Sequence, residues 1–395
     1  MTISEAMERE SHYLMPTYKR FPVVLESGKG ATAADVEGQT YIDFGAGIGV
    51  NALGYCDEGW VRAVAEQAGK LQHISNLYYS PIQIELAEAL VNQTGMSRVF
   101  LCNSGAEANE CAIKVARKYS FDKYGEGRST ILTLQNSFHG RTVTTLAATG
   151  QDVFHQYFSP FTEGFDYIPA NDTSALLERI GSGVCAVLLE CIQGEGGVCP
   201  LDGDYLRFVA QTCKKHDVLL LIDEVQTGMS RTGTLLACEQ FGVKPDVVTL
   251  AKGLAGGLPI GACLCTDALK DTLSAGMHGS TFGGNPVSCA AALYVLGRVS
   301  KPDFLKEVRE KGAYLKEKLL SLPHIKEVRG MGLMLGAVLD EGFAAGEIAA
   351  KCVENGLLVL TAKTLLRFLP PLTITKEEID RGVAVLQTIL TREDS

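Results

Sequence analysis

Short apolar runs alternate with amphipathic stretches through the middle of the chain. The runs of strand length stand at residues 99–101, 131–134, 184–189, 218–222, 247–250 and 260–265. Helix-like stretches between them include residues 81–94, 106–119 and 205–216. Strands that are apolar throughout are typical of a parallel sheet with helices on both faces. The pattern therefore predicts an α/β fold with a largely parallel sheet.

The two ends of the chain have a different pattern. The elements predicted there are helices at 286–300 and 302–320, short strands near 332–339 and 357–360, and a hairpin at 31–44. We therefore expect a large domain at residues 60–285 and a smaller α+β domain built from residues 1–59 and 286–395.

The charge balance narrows the possible partners. Of the 395 residues, 36 are basic and 46 are acidic, which gives a net charge of −10. Nucleic acids and anionic membranes attract surfaces rich in Lys and Arg, so neither is an expected partner. The first ten residues lack the apolar core of a signal peptide, and the most apolar window, 247–266, is interrupted by Lys252 and Pro259. We expect a cytoplasmic protein.

The twelve cysteines need a separate explanation. No C-x-x-C pair is present and no Cys/His group has the spacing of a zinc site, so no metal is predicted. Most of the cysteines stand in apolar runs, as Cys263 and Cys265 do. We interpret them as small buried hydrophobic residues.

Polar residues directly after an apolar run are candidates for a site, because ligands of open α/β sheets bind at the carboxyl ends of strands. Ser104, Gly105 and Ala106 follow the run at 99–101 and begin a predicted helix. The free N–H groups of a helix start, together with the Ser104 hydroxyl, can hold a phosphate. An ordinary helix cap by Ser104 is the alternative.

Two further runs end in charged residues. Asp223 follows the run at 218–222, where a carboxylate needs a cation or an N–H partner. A structural ion pair, a helix cap or a metal site with Glu224 would also explain it, but no His or third carboxylate supports a metal. Lys252 follows the run at 247–250, where burial would lower its pKa and suit it to Schiff-base chemistry. A lysine that extends to solvent is the alternative.

Together the three segments are more specific than any one of them. A phosphate cradle, an acid for a pyridinium nitrogen and a buried lysine are what pyridoxal 5′-phosphate (PLP) requires. Lys252 would hold the cofactor aldehyde as an imine. Asp223 would keep the ring nitrogen protonated, so that the ring can withdraw electrons. The sequence therefore predicts a PLP enzyme.

The motifs around these segments resemble those of a known family. They are residues 103–109, 138–142, 190–197, 222–228, 251–253 and 279–286. The chain resembles the fold-type I, class III (ω-amino acid) aminotransferases over nearly its whole length, from residue 15 to residue 372. The resemblance implies a transaminase with a large, mostly parallel α/β PLP-binding domain and a smaller α+β domain made from both termini.

The resemblance also implies a role for each residue of the cofactor site. Lys252 is the Schiff-base lysine and moves the proton between substrate and cofactor, while Asp223 pairs with the pyridine nitrogen. The other implied cofactor residues are Ser104, Gly105 and Ala106 at the phosphate, Phe138 and Val225 on the ring faces, Gln226 at the ring hydroxyl, and His139 and Glu190 as supports. Thr281 of the partner subunit would complete the phosphate site, so a homodimer with a shared active site is implied.

Carboxylate substrates call for arginine, whose planar group binds a carboxylate through two hydrogen bonds. By the resemblance, Arg141 takes the distal carboxylate of each substrate and Arg367 takes the α-carboxylate of glutamate. Glu195 pairs with Arg367 while an ω-amine donor is bound. Tyr18 and Ser280 are the other implied substrate contacts.

The implied reaction is transamination of N-acetylornithine with 2-oxoglutarate, which gives N-acetylglutamate 5-semialdehyde and glutamate in arginine biosynthesis. Ile48 stands where ornithine-specific members have a Tyr that holds free ornithine, and an apolar residue there leaves room for an acylated donor. Ornithine, succinylornithine and other ω-amino acids are the alternative donors. Two departures from the family pattern, Cys191 in place of a Pro and Tyr55 in place of a Gly-His pair, bear on the donor more than on the chemistry.

Three other functions fit parts of the sequence. A dinucleotide-binding fingerprint at residues 45–50 fails because valine replaces its last glycine and no helix pattern follows. A racemase or aminomutase on the same scaffold would not need Glu195 to pair with Arg367. A non-enzymatic PLP-fold binding protein would be expected to lack Lys252 or Asp223, and both are present.

Overall fold

The centre of the fold is a seven-stranded sheet, seen in a computed structural model that describes residues 1–392. The described strands are β1 (Leu25–Lys29), β2 (Thr32–Asp35), β3 (Thr40–Asp43), β4 (Arg98–Cys102), β5 (Thr130–Leu134), β6 (Phe165–Ile168), β7 (Val184–Leu189), β8 (Ile192–Gln193), β9 (Cys199–Pro200), β10 (Leu219–Asp223), β11 (Val247–Leu250), β12 (Gly261–Cys265), β13 (Ile325–Met331), β14 (Met334–Leu339), β15 (Leu357–Leu358), β16 (Leu360–Ala362) and β17 (Leu365–Phe368). The large sheet has the order β4-β12-β11-β10-β7-β5-β6.

Helices cover this sheet and connect its strands. The described α-helices are α1 (Ile3–Tyr13), α2 (Ala46–Gly49), α3 (Glu58–Ala68), α4 (Pro81–Thr94), α5 (Gly105–Tyr124), α6 (Val143–Ala148), α7 (Thr173–Arg179), α8 (Gly203–His216), α9 (Pro286–Val299), α10 (Pro302–Leu320), α11 (Ala345–Glu354) and α12 (Lys376–Arg392). Short 3-10 helices add single turns, one of which begins at Lys252.

Strand β12 is the one reversed strand of the large sheet. It pairs antiparallel with both β4 and β11, whereas the other four pairings of the sheet are parallel. The residues before β12 therefore lie at the edge where the other strands end. The predicted α/β fold with a mostly parallel sheet is confirmed.

Strand β10 shows why the central strands are apolar throughout. Leu220 and Ile222 belong to the larger hydrophobic core, whereas Leu219 and Leu221 belong to a second core that includes residues of α5. Successive side chains of a strand point to opposite faces, so both faces of this strand are buried. The strand then delivers Asp223 to the edge of the sheet.

The two ends of the chain meet in a smaller sheet of order β1-β2-β3-β15. Strand β15 is parallel to β3, with Leu357 opposite Ile42. Another four-stranded sheet, β13-β14-β17-β16, carries Arg367 on β17. The expected division into residues 60–285 and the two terminal parts stays a prediction.

Three further expectations concern cysteines, membranes and metals. All twelve cysteines are free and nine are buried, whereas Cys56 is exposed and departs from the expectation. None of the helices within residues 1–392 is long and apolar enough to cross a membrane. Over the same residues, no group of three or more His, Cys, Asp or Glu side chains is placed to hold a metal ion.

Candidate active site

A cavity of about 470 Å³ lies at the edge of the large sheet where most of its strands end. Its volume is in the range typical of sites for small molecules. Eleven of the residues predicted from the sequence line it: Ser104, Gly105, Ala106, Phe138, His139, Arg141, Glu190, Asp223, Val225, Gln226 and Lys252. Residues that follow β4, β5, β7, β10 and β11 are thus brought together.

The N-terminus of α5 forms one wall of the cavity. The Ser104 hydroxyl accepts a hydrogen bond from the N–H of Glu107 at 3.2 Å, so Ser104 is a helix cap as well as a cavity residue. A Cβ atom at Gly105 would lie 2.7 Å from Cγ1 of Val225, so only glycine lets the helix start come this close. The first N–H groups of a helix have no partner within it and can bind an anion.

Asp223 has hydrogen bonds on both of its carboxylate oxygens. Its Oδ2 accepts a hydrogen bond from Nδ2 of Asn109 at 2.8 Å and lies 2.9 Å from Nδ1 of His139. Its Oδ1 accepts a hydrogen bond from the N–H of Val225 at 3.0 Å. The carboxylate, which is almost fully buried, is therefore held by N–H donors, as its burial requires.

Glu190 is a second buried carboxyl group in the cavity wall. Its Oε2 accepts a hydrogen bond from the N–H of Phe138 at 3.0 Å, and its Oε1 accepts one from the N–H of Gly194 at 3.2 Å. Burial raises the pKa of Glu190 to about 7, and the charge of Asp223 adds to this, while His139 opposes it. Glu190 thus fixes the loop that carries Phe138 and can change its charge near neutral pH.

Lys252 lies in the cavity with an unusual backbone conformation. Its φ angle is +45°, in the left-handed region that residues other than glycine rarely adopt. Burial lowers the pKa of the Lys252 amine, Glu195 opposes this and Arg367 adds to it. An amine with a lowered pKa can act as a nucleophile and as a base near neutral pH.

The two arginines predicted to bind carboxylates have different surroundings. Arg367 is buried, and its Nη1 donates to Oε1 of Glu195 at 2.5 Å. Burial alone would raise the pKa of Glu195, but the charge and hydrogen bond of Arg367 lower it on balance. Arg141 is exposed at the cavity, with its guanidinium over the ring of Phe154 at 4.0 Å and over that of Phe138 at 5.5 Å.

Five predicted residues are not part of the cavity lining: Tyr18, Glu195, Ser280, Thr281 and Arg367. The charges of Glu195 and Arg367 nevertheless affect the pKa of Lys252, which Glu195 raises and Arg367 lowers. Tyr18 and Thr281 are exposed. The Ser280 hydroxyl accepts a hydrogen bond from Nδ2 of Asn103 at 3.1 Å, so it anchors the segment that carries Thr281.

Comparison with known proteins identifies the family. The family model for class III aminotransferases matches residues 13–390. The chain belongs to the class III aminotransferases. It is 54% identical over 392 residues to the acetylornithine aminotransferase of Haemophilus ducreyi, in a match that covers 99% of this chain and 100% of that protein.

Solved structures of class III aminotransferases have the same fold. The N-acetylornithine aminotransferase of Stenotrophomonas maltophilia matches 98% of this chain and 99% of its own with 41% identity and a TM-score of 0.85. The ornithine aminotransferase of Toxoplasma gondii matches 100% of this chain and 96% of its own with 33% identity and a TM-score of 0.95. The predicted family, fold class and transaminase activity are confirmed.

Class III aminotransferases use PLP, and the cavity of this member fits that cofactor. Oε1 of Gln226 is buried without a hydrogen-bond partner, so it calls for a donor such as the ring hydroxyl of PLP. The start of α5 suits a phosphate. Asp223 has one acceptor site left for a ring N–H, because its oxygens offer about four and three are taken. The predicted use of PLP is confirmed.

The cavity of this aminotransferase also contains residues that the sequence analysis did not single out. Asn103 and Asn109 line it, and residues 257–260 form a wall. That wall precedes the reversed strand β12, so a rule that considers only residues after strands overlooks it. Asn109 could have been noticed from its place in the motif at 103–109.

Proposed function

We propose that the chain transfers the ω-amine of N-acetylornithine to 2-oxoglutarate and forms N-acetylglutamate 5-semialdehyde and glutamate, as a step of arginine biosynthesis. The observation that carries this proposal is the 54% identity to an acetylornithine aminotransferase along nearly the whole of both chains.

The cavity geometry supports the cofactor roles in this proposal. When bound, PLP supplies an aldehyde that accepts the amine of the donor and a protonated ring that withdraws electrons from the reacting carbon. Nζ of Lys252 holds the cofactor and then takes up and returns the proton of the substrate carbon, which its lowered pKa permits. Asp223 would hold the ring N–H, the α5 start with Ser104 would hold the phosphate, and Phe138 and Val225 would lie on the two ring faces.

Two arginines give the proposed site its preference for carboxylates. With an ω-amine donor bound, Arg367 stays paired with Glu195, so its buried charge is neutralised without a substrate carboxylate. When 2-oxoglutarate or glutamate binds, its α-carboxylate replaces Glu195 on Arg367, and its γ-carboxylate meets Arg141. One cavity can therefore accept two substrates with different charge patterns.

We further propose that two chains form a homodimer in the cytoplasm and share each site. Thr281 lies in an exposed segment next to Asn76, whose Nδ2 donates to the carbonyl oxygens of Ser280 at 2.9 Å and Gly283 at 3.0 Å. The large apolar side chains exposed in the same area are Leu77, Tyr78, Tyr79 and Phe282. Such a group is typical of a protein interface. Sedimentation should give twice the mass of one chain, and a monomer would contradict the proposal.

A panel of amine donors tests the substrate. The purified holoenzyme is assayed for kcat/KM with N-acetylornithine, ornithine, succinylornithine and 4-aminobutyrate, each at saturating 2-oxoglutarate. We expect N-acetylornithine to give the highest value. A higher value for ornithine would replace the proposed function with that of an ornithine aminotransferase, such as the one from Toxoplasma gondii that shares this fold with a TM-score of 0.95.

A further inference from the structure

Asn109 lies at the centre of a buried hydrogen-bond network behind Asp223. Its Nδ2 donates to Oδ2 of Asp223 and to the backbone oxygen of His139, both at 2.8 Å. Its Oδ1 accepts a hydrogen bond from Oγ1 of Thr249 at 2.8 Å. Asn109 and Thr249 are each only 1% exposed. The network joins α5, the loop after β5, and the strands β10 and β11.

The amide of Asn109 has one orientation that satisfies these neighbours. Its NH2 group faces two acceptors, the Asp223 carboxylate and the His139 carbonyl, neither of which can donate. A rotated amide would place its oxygen against both of them and take one buried hydrogen-bond donor away from each. The hydroxyl of Thr249, which donates to the amide oxygen, stabilises the observed orientation.

This arrangement decides which part of Asp223 remains available. Oδ2 receives Asn109 and His139, which fills its two acceptor sites. Oδ1 receives only the N–H of Val225. The carboxylate therefore cannot rotate without losing buried hydrogen bonds, and a single acceptor site stays open on Oδ1.

We propose that Asn109 is a positioning residue for the transamination, which holds Asp223 with one acceptor site open for the ring nitrogen of PLP. Thr249 assists by fixing the Asn109 amide. Asn109 also binds the His139 backbone, so the same side chain holds the loop that carries Phe138. This inference rests on the proposed role of Asp223.

A double-mutant cycle on PLP affinity tests the inference. Apoenzyme is prepared for the wild type, Asn109→Ala, Asp223→Ala and the double variant, and PLP is titrated into each while tryptophan fluorescence is recorded. Loss of a hydrogen bond to a charged group should raise the Kd for PLP by roughly tenfold to a hundredfold in Asn109→Ala. In the Asp223→Ala background the same substitution should change the Kd by less than about threefold, because the two residues act as one unit.

Two outcomes of the cycle overturn the inference and can be told apart. An equal loss of affinity from Asn109→Ala in both backgrounds would mean that Asn109 supports the fold and not Asp223. An unchanged Kd in Asp223→Ala itself would remove the role of Asp223, and with it both the inference and that part of the proposed function.

A pair of isosteric threonine variants keeps the test valid if Asn109→Ala folds poorly. Thr249→Val removes the hydrogen bond to Asn109 and should weaken PLP binding by roughly threefold to tenfold. The control is Thr133→Val on β5 in the same sheet, because Oγ1 of Thr133 is buried without a partner. Thr133→Val should leave the Kd unchanged. Equal Kd values for the two variants would overturn the role of Thr249 and of the amide orientation that it fixes.

Discussion

Two regions of the active site differ in whether the residues of a single chain are enough to form them. The cofactor wall, made of Ser104, Asn109, Asp223 and Lys252, lines the cavity at the edge of the central sheet. Hydrogen bonds within the chain hold Ser104 at the start of α5 and join Asn109 to Asp223. The outer segment, residues 279–284, contributes nothing to the cavity lining and leaves Thr281 exposed. Each chain thus contains the residues that line the cofactor cavity, whereas the proposed contact of Thr281 with the phosphate would require a partner chain.

The largest effect should come from Lys252 in the cofactor wall. Lys252→Ala removes the amine that holds PLP and moves the proton, so turnover should fall by a factor of at least about 10³. The visible absorbance of the lysine-bound cofactor should disappear with it. Lys244→Ala is the control, since Lys244 is exposed three residues before β11. Turnover within tenfold of the wild type would contradict the account.

Asp223→Ala tests a second residue of the cofactor wall, one that does not act on the reacting carbon directly as Lys252 does. Turnover should fall by roughly a hundredfold or more, because a pre-organised charge that supports the electron-withdrawing ring is lost. Circular dichroism should show that the fold is retained, since the β10 side chains that pack in the two cores are unchanged. Near-normal turnover would show that the wall does not act through this carboxylate.

Glu190, which lines the same cavity, gives the folded chain a pH-dependent stability. Its pKa is about 7 in the folded chain against an ordinary value of 4.5, so the folded chain holds a proton that the unfolded chain lacks between these pH values. The contribution of Glu190 to stability is therefore fully present below pH 4.5 and is lost as the pH rises through 7.

Urea denaturation of the apoenzyme at several pH values measures this contribution. The free energy of unfolding of the wild type, minus that of Glu190→Gln, should fall by up to about 3 kcal/mol from pH 4.5 to pH 7. Glu317→Gln, at an exposed helical position, is the matched control and should give a flat difference. A flat difference for Glu190→Gln as well would show that Glu190 is not proton-bound in the fold.

Glu195 separates the two half-reactions. Glu195→Ala leaves the buried charge of Arg367 unpaired when an ω-amine donor is bound, but not when glutamate is bound. The donor half-reaction should therefore slow by about tenfold more than the glutamate half-reaction, measured by stopped-flow absorbance. Glu195→Gln keeps the shape of the side chain without its charge and should resemble Glu195→Ala. Equal slowing of the two half-reactions would show that Glu195 is not needed to pair with Arg367 while the ω-amine donor is bound.

The smallest effect is expected in the outer segment. Thr281→Ala should raise the Kd for PLP by roughly twofold to tenfold, the effect of one neutral hydrogen bond to the phosphate. Ser274→Ala, another exposed hydroxyl of the same region, should have no effect. An unchanged Kd in Thr281→Ala would mean that the cofactor wall of one chain is sufficient to bind PLP, and that the outer segment adds nothing to the affinity.

The strands of the central sheet could be predicted closely because their burial leaves a plain pattern. Strands β7 and β11 have the bounds that their apolar runs predict, Val184–Leu189 and Val247–Leu250. Strand β6 was missed because its middle residues, Asp166 and Tyr167, are exposed and its apolar pattern is short. The antiparallel direction of β12 depends on tertiary packing and leaves no pattern in the local sequence. It brings the wall at residues 257–260, which was not predicted, to the cavity.

The candidate site could be predicted where a residue ends a strand or follows one, as Asp223 and Lys252 do. The partner of Asp223 could not, because Asn109 is 114 residues away along the chain. Only the packing of α5 on β10 and β11 brings the amide to the carboxylate. The roles of all the site residues stay predictions, and Tyr18, Ser280 and Thr281 are also outside the lining of their own chain's cavity.

A half-reaction titration tests the central claim most directly. Holoenzyme is mixed with N-acetylornithine in the absence of 2-oxoglutarate, and the absorbance of the bound cofactor is followed while the aldehyde product is quantified. The account predicts complete conversion of the cofactor to its amine form, with one equivalent of N-acetylglutamate 5-semialdehyde per site, and recovery of the original spectrum on addition of 2-oxoglutarate. An unchanged spectrum with no aldehyde product would contradict it.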